Sequence, residues 1–334
     1  MRNRFYLFFA LLLLIVPLTV FAQDSTMEAE MEEVEPIELP EVDPLSVTGD
    51  IVIAGSSTVF PVTERMADLF VQDGFPGTIT VDSIGSGAGF SRFCAGETDI
   101  SNASRPIRDS ERETCLSIGR DPIELYIGID ALAVVVSTEN DFVFDLSKEE
   151  LALVFAGGTG TTWQDIRPEW PAEPIRLFAP GTDSGTFDFF VEEIFDRDPA
   201  PILNAPGIQL SEDDNVLVQG VVASPFAIGF FGYAYYAENT DTLRAIAIDG
   251  VEPTEEAAET GEYPLSRPLF LYTAAPILAE KPQVAAFLLY YLTFVNDQLG
   301  TEEGQIGYFP VSVEAMNTTK TLLLEAIEEA GLEF

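Results

Sequence analysis

Three loops of the chain combine glycine with serine or threonine, and each lies between a β-rich run and an amphipathic stretch. They are Gly55–Thr58, Gly85–Gly89 and Gly181–Thr186. Such a loop exposes backbone N–H groups at a helix N-terminus, where the helix dipole adds roughly half a positive charge. Small residues let an anion approach the backbone, and hydroxyl groups add donors. Together the loops favour an anion-binding site, although each one alone also fits an ordinary capped turn.

A fourth segment, DISNASRP over residues 99–106, contains Arg105. A guanidinium binds a tetrahedral oxyanion through paired N–H bonds. The alternative for this arginine is a surface salt bridge with one of the many acids. None of the loops has the spacing of a nucleotide P-loop or of a dinucleotide fingerprint, so the ligand is expected to be a small anion.

Composition excludes several classes of enzyme. The chain has 16 basic and 56 acidic residues, a formal net charge of −40 and no histidine. Histidine-based general base catalysis, Ser-His-Asp triads and histidine metal sites are therefore excluded. A nucleic-acid partner is not expected, because phosphate backbones require basic stripes. No cofactor is expected.

The N-terminus predicts export. Arg2 and Arg4 precede an apolar run from Phe5 to Phe21, and Ala22 is followed by polar residues. This pattern is typical of a signal peptide cleaved near Ala22, with an uncleaved membrane anchor as the alternative. Residues 23–48 contain nine acids and no base, which predicts a flexible, disordered tether.

The two cysteines, Cys94 and Cys115, are expected to form a disulfide in an exported protein. Closing a loop of about 20 residues stabilises the fold by roughly 3 kcal/mol in the chain-entropy model. The alternative is a pair of buried free thiols.

Strands and helices alternate in the order needed to position the loops. Helices are expected after each loop, over Ser147–Phe155 with a capping box at Glu150, and over residues 281–297 and 312–330. These elements predict an α/β fold with mainly parallel sheets, in which Ala131–Ser137 is a fully buried parallel strand. The expected strands are Asp50–Ala54, Thr78–Ser83, Ala131–Ser137, Arg176–Ala179, Ile228–Phe231 and Leu269–Thr273.

Six longer stretches extend these patterns from about residue 49 towards the C-terminus. They are GSSTVFP (55–61), IGSGAGF (84–90), CAGETDISNASRPI (94–107), LSKEELALVFAG (146–157), GTDSGTFDFF (181–190) and YPLSRPLFLY (263–272). In this order they resemble the phosphate-binding proteins of high-affinity ABC phosphate importers. The spacing of the two cysteines also resembles that of a subgroup of this family.

The resemblance implies a type II periplasmic-binding-protein fold, in which two α/β lobes are joined by two crossover strands and enclose the ligand. One lobe would comprise residues 49–134 and 267–334, and the other residues 135–266. The crossovers would lie near Ala131–Ser137 and Pro264–Thr273. The implied function is an extracytoplasmic, monomeric, non-enzymatic protein that captures inorganic phosphate and delivers it to a membrane ABC permease.

The same resemblance implies a set of phosphate ligands. They are Ser57, Thr58 and the N–H of Val59 in the first loop, Ser86 in the second, and Ser184, the N–H of Gly185 and Thr186 in the third.

The chain departs from the family pattern at two positions. Some members have an aspartate where Ser104 stands here, and those members have an arginine before the third loop, where this chain has Pro180. Our hypothesis is that Arg105, beside Ser104, supplies the cation and Asp183 the acceptor. A carboxylate that accepts the P–OH hydrogen bond is left unpaired against sulfate, which favours phosphate.

Three other functions fit parts of the sequence. A related receptor would bind sulfate, molybdate or tungstate. A secreted phosphatase is disfavoured by the absent histidines and by the lack of clustered metal-binding carboxylates in the sequence. A structural or adhesive surface protein would use the fold without a ligand.

Overall fold

The three predicted loop segments each follow a strand and lead into a helix, but the second and third were predicted too long. Ser86–Gly89 of the second segment and Gly185–Thr186 of the third already belong to the helices. The computed structural model describes residues 34–182, 184–300 and 305–334. The predicted signal peptide and residues 23–33 of the predicted tether lie outside the described residues, as does Asp183. Within the described ranges, no helix is both long and apolar enough to span a membrane.

The strands and helices largely follow the sequence prediction. The strands in the described part of the chain are β1 Asp50–Gly55, β2 Thr78–Ser83, β3 Ile100–Ala103, β4 Ile123–Ser137, β5 Asp145–Leu146, β6 Arg176–Pro180, β7 Gln209–Ser211, β8 Ala227–Gly232, β9 Leu243–Ala245, β10 Ala247–Ile248 and β11 Ser266–Thr273. The helices there are α1 Phe60–Gln72, α2 Ser86–Cys94, α3 Asp109–Ser117, α4 Lys148–Gly157, α5 Trp163–Ile166, α6 Gly185–Phe195, α7 Ala200–Leu203, α8 Asp214–Val222, α9 Tyr233–Ala237, α10 Glu255–Glu259, α11 Ala275–Glu280, α12 Pro282–Gln298 and α13 Val313–Glu329. Short 3-10 helices cover Pro44–Ser46 and Gly158–Gly160.

The capping box predicted at the start of α4 is confirmed. The N–H of Glu150 donates to the Ser147 hydroxyl (3.2 Å), and the N–H of Ser147 donates to the Glu150 carboxylate (2.9 Å). The two bonds satisfy donors that the first helical turn would otherwise leave open.

The sheet has parallel outer parts joined by antiparallel central strands. Its order is β2-β1-β3-β11-β4-β8-β6-β7, with β9 also paired to β4. Strands β1, β2 and β3 are mutually parallel, as are β6, β7 and β8. The loops that follow β1, β2 and β6 therefore leave the carboxyl ends of parallel strands, where ligands bind in open α/β sheets.

The expectation that Ala131–Ser137 belongs to a parallel sheet is wrong. This segment is the second half of β4, which runs antiparallel to β11, β8 and β9. The prediction of full burial is confirmed, because every residue from Ile127 to Ser137 is buried. Burial on both faces produces the same apolar run in either strand direction, so the sequence pattern could not distinguish them.

The hydrophobic core divides where β4 passes from one neighbour to the next. Strand β4 pairs with β11 as far as Ala131 and with β8 from Leu132 onward. One large buried cluster draws on residues 51–131 and 269–327 together with Ala258, whereas a second draws on residues 132–265.

Residues 35–48 do not form the flexible tether that their acidity predicted. Leu39, Val42 and Val47 pack against the larger cluster. The Asn317 side chain on α13 accepts from the N–H of Ile37 (2.7 Å) and donates to the carbonyl of Glu35 (2.8 Å). Alternating apolar and acidic residues let the segment bury one side and leave its carboxylates in water, which composition alone does not reveal.

The predicted disulfide between Cys94 and Cys115 is confirmed, with the two Cα atoms 4.2 Å apart. It joins the last residue of α2 to α3. Both cysteines belong to the larger buried cluster, so the bond anchors α3 to the helix that begins at the second loop.

Candidate oxyanion-binding site

The three loops and the Arg105 segment meet at one cleft of about 550 Å³. Most of the described site candidates line it, and the rest lie beside it. The candidates on its wall are Ser57, Thr58, Ser86, Ser104, Arg105 and Gly185.

The first loop positions Thr58 at the start of α1. The N–H of Thr58 donates to the Ser56 hydroxyl (3.2 Å), and its carbonyl accepts from the Tyr308 hydroxyl (3.1 Å). The side chain of Val59 is fully buried, so Val59 can reach a ligand only through its backbone. Ser56 also lines the cleft and was not predicted.

The second loop and the Arg105 segment are joined by hydroxyl groups. Ser86 begins α2, and its hydroxyl lies 3.2 Å from that of Ser104 while accepting from the N–H of Ser104 (3.1 Å). These contacts fix both serines at the N-terminus of α2, where the helix dipole attracts negative charge.

Close backbone approach at Gly55 holds the first two loops together. The carbonyl of Gly55 accepts from the N–H groups of both Ile84 and Gly85 (2.9 and 2.8 Å). Gly55 has φ +150°, and a Cβ there would lie 2.0 Å from the carbonyl oxygen of Asn102. Only glycine fits, so the loop spacing is set by the backbone.

The third loop faces the first. Ser184 caps α6 by accepting from the N–H of Thr186 (3.2 Å). A Cβ built on Gly185 would lie 3.9 Å from the Thr58 hydroxyl, which places the start of α6 opposite the start of α1. Ser184 and Thr186 are partly exposed beside the cleft.

Arg105 lies on the cleft wall with much of its hydrogen-bonding capacity used. Its two terminal nitrogens donate to the two carboxylate oxygens of Glu111 (2.9 and 2.7 Å), and one also donates to the carbonyl of Pro106 (3.0 Å). Burial raises the pKa of Glu111, but hydrogen bonds from Arg105 and from the N–H of Arg108 outweigh it and leave that pKa below its ordinary value. Glu111 therefore stays ionised and holds Arg105 in place.

Acidic side chains also line the cleft, namely Asp188, Glu192 and Glu193. Burial raises the pKa of Asp188, and the nearby Arg267 opposes that rise. Glu193 pairs with Lys148 (2.9 Å) and Glu192 pairs with Arg197. Asp188 is therefore a carboxylate on the cleft wall that can accept a hydrogen bond, and it was not among the predicted site residues.

Arg267 was missed as a site residue, although it belongs to the stretch YPLSRPLFLY. It lines the cleft from β11, and its guanidinium forms a salt bridge with Asp130 (2.8 Å). An arginine just before the predicted apolar strand Leu269–Thr273 was the available signal, since Lys and Arg are almost never buried without a partner. Four of the chain's 16 basic residues line this one cleft: Arg105, Arg108, Arg197 and Arg267.

Comparison with known proteins agrees with the fold. The PBP superfamily domain matches residues 43–293. The protein SphX of Synechocystis sp. is 40% identical over 285 residues, which cover 83% of this chain and 83% of that protein. The phosphate-binding protein PstS of Staphylococcus saprophyticus is 35% identical over 249 residues, covering 73% and 76%.

A solved structure also resembles this chain over most of its length. The crystal structure of a possible phosphate binding protein from Planctomyces limnophilus has a TM-score of 0.73 and 38% identity, covering 84% of this chain and 99% of that one. The chain therefore belongs to the PBP superfamily and, within it, to the PstS-like family.

Proposed function

We propose that the chain is an exported binding protein that captures inorganic phosphate in this cleft and delivers it to a membrane ABC permease. The observation that carries the proposal is the meeting of three helix N-termini, their serine and threonine hydroxyls and arginine side chains on one cleft. Such a site offers several fixed donors to a compact oxyanion and costs little reorganisation. Since its relatives are binding proteins, the chain is a binding protein rather than an enzyme.

The proposed ligands keep the set that the sequence predicted. Each described member lies on the cleft or at the helix start beside it, and Asp183 remains in the set as the acceptor for the phosphate proton. The full set is Ser57, Thr58, Val59 N–H, Ser86, Ser104, Arg105, Asp183, Ser184, Gly185 N–H and Thr186.

The two-lobe division belongs to the same proposal. Residues 49–134 with 267–334 and residues 135–266 would form the lobes. The division of the buried clusters between Ala131 and Leu132 supports a lobe boundary within β4, slightly before the proposed one. We also propose a monomer, cleavage of the leader near Ala22 and no nucleic-acid partner, given the net charge of −40.

A thermal-unfolding series with phosphate, sulfate, molybdate and tungstate tests the function. At 100 to 1,000 times the dissociation constant, a ligand that binds only the folded state stabilises it by about 3–4 kcal/mol. We expect a clear rise in melting temperature with phosphate and little with the other anions. Equal stabilisation by sulfate would refute phosphate selectivity, and no shift with any anion would refute an anion-binding function.

The variant Asp183→Asn tests the acceptor within the same series. We expect this variant to show a smaller difference between the melting-temperature shifts with phosphate and with sulfate. The amide can donate a hydrogen bond, so it does not disfavour a ligand that lacks a proton. Asp188→Asn is the matched comparison at the second carboxylate. Unchanged selectivity in Asp183→Asn together with lost selectivity in Asp188→Asn would assign the acceptor to Asp188 instead.

A further inference from the structure

Arg267 and Asp130 stand directly opposite each other on neighbouring strands. They are paired residues in the antiparallel register of β11 and β4, so their side chains leave the same face of the sheet. The Arg267 side chain is 11% exposed and that of Asp130 only 4%. The chain therefore places a largely buried ion pair at the wall of the cleft.

Three contacts fix the plane of the Arg267 guanidinium. Its Nε donates to Asp130 Oδ2 (2.9 Å), and its Nη2 donates to the carbonyl of Gly185 (3.2 Å). The guanidinium carbon also lies 4.1 Å from the centroid of the Phe189 ring. Gly185 and Phe189 both belong to α6, the helix that follows the third loop, so the cation is held directly at that loop.

The held guanidinium retains donors. Among the hydrogen bonds formed within the described residues, Arg267 uses Nε and Nη2, and none of them uses the two N–H groups of Nη1. Arg105 differs, because both of its terminal nitrogens already bind Glu111. Of these two arginines, Arg267 is thus the one with an uncommitted terminal nitrogen on a largely buried, well-held side chain, a setting that strengthens a charge-assisted bond.

Arg267 also lies between the first and third loops. The Tyr308 hydroxyl donates to the carbonyl of Thr58 (3.1 Å). Burial raises the pKa of Tyr308, the negative charge of Asp130 raises it further and the positive charge of Arg267 lowers it, so both members of the ion pair act on this hydroxyl. Gly185, whose carbonyl accepts from Arg267, also lies opposite Thr58, since a Cβ built on Gly185 would lie 3.9 Å from the Thr58 hydroxyl. An anion bound between those loops meets this guanidinium.

We propose that Arg267 is a phosphate ligand and the principal cation of the site, and that Asp130 orients it. This inference rests on the proposed function, because it concerns the same cleft and the same ligand. It goes beyond the sequence-based assignment, in which Arg105 alone supplied the cation. The fixed plane of the guanidinium would let Nη1 meet one oxygen of the ligand, while the hydroxyls and N–H groups of the loops bind the others.

The experiment must distinguish two roles of Arg267: binding phosphate directly, or stabilising the fold through its ion pair with Asp130. Arg267→Gln alone leaves Asp130 buried and unpaired, which destabilises the fold. The double variant Asp130→Asn/Arg267→Gln replaces the ion pair with two uncharged amides that can still hydrogen-bond. Arg267→Lys keeps the positive charge but loses the planar guanidinium and its paired N–H donors. Arg176→Gln removes one exposed arginine at the far end of β6 and is the control for the change in net charge.

Phosphate binding is measured by calorimetry on each variant, and folding by circular dichroism and thermal unfolding without phosphate. We expect Arg176→Gln to bind within about twofold of wild type, since exposed charges are screened. Arg267→Lys should bind about 10-fold more weakly and the folded double variant about 10- to 100-fold more weakly, as expected for the loss of charge-assisted bonds.

Two outcomes would overturn the proposal in distinguishable ways. If wild type binds phosphate and both Arg267→Lys and the folded double variant bind within about threefold of it, Arg267 serves the fold only. If wild type itself shows no binding of phosphate, the proposed function fails and this inference fails with it.

Discussion

Removal of the disulfide should destabilise the protein globally and release α3 locally. The perturbation is Cys94→Ala together with Cys115→Ala. The cysteines are 21 residues apart, and opening a loop of that length gives the unfolded chain enough entropy to cost about 3 kcal/mol. Among the nine residues of α3, all of them described, Cys115 is the buried one, so little else anchors the helix.

The local effect reaches the cleft through Glu111, which lies one helical turn before Cys115 and therefore on the same side of α3. Since Glu111 holds Arg105 with two hydrogen bonds, a mobile α3 should also free Arg105. We expect amide hydrogen exchange over Asp109–Ser117 to accelerate more than exchange in β4, whose residues are almost all buried.

The assay is equilibrium urea unfolding of the oxidised wild type, the reduced wild type and the double variant, followed by circular dichroism. The reduced wild type is the control for loss of the sulfur atoms, because it keeps both cysteines and lacks only the bond. A loss of less than about 1 kcal/mol in both samples would refute the reasoning, since the chain-entropy contribution would then be absent. Unchanged exchange in α3 would refute the anchoring role.

The structure also fixes the direction of two further effects, one on stability at Asp214 and one on proteolysis at Asn317. Burial, with repulsion from Asp213 and Glu212, raises the pKa of Asp214 to about 6. Because that folded-state pKa lies above the unfolded value of about 3.9, Asp214 lowers stability as pH rises from about 4 to 6. Asp214→Asn should therefore stabilise the protein by about 1–2 kcal/mol at pH 7 and by almost nothing at pH 3, as measured by unfolding at both values; equal effects at both would contradict this assignment. Asn317→Ala removes its two side-chain bonds to the segment at Glu35 and Ile37 and leaves the bond from Lys320 to the carbonyl of Ile37. Limited proteolysis of residues 35–43 should therefore accelerate severalfold, whereas an unchanged cleavage rate would show that the Asn317 bonds do not hold the segment.

Local signals predicted much of the architecture. Turns, caps and helical periodicity are signals between residues close together in the sequence, and the strands and helices that they indicated are present, most of them with nearly the predicted bounds. Strand β4 is the main exception, because it begins at Ile123 instead of Ala131. The prediction failed where pairing between distant residues decides the outcome. The direction of β4 depends on its partners β11 and β8, which leave no mark on its own apolar sequence.

The candidate site shows the same contrast between local signals, which the sequence reveals, and contacts between distant residues, which it does not. The loops could be found because a helix N-terminus has a local sequence signature. Arg267 could not be ranked above other arginines, because its role depends on Asp130, which lies 137 residues away. Likewise, Arg105 was predicted to bind the ligand, but its ion pair with Glu111 already occupies part of its guanidinium. That ion pair is visible only in the folded structure.

The backbone contact at Gly55 has a consequence for engineering this site. Main-chain atoms alone join the first two loops there, with the carbonyl of Gly55 bound to two N–H groups and no room for a side chain. Side-chain substitutions in those loops can therefore change which donors are offered without moving the anchoring positions. Ligand preference should be easier to redesign at the third loop and Arg267, where side chains determine the geometry, than at the rigid junction of the first two loops.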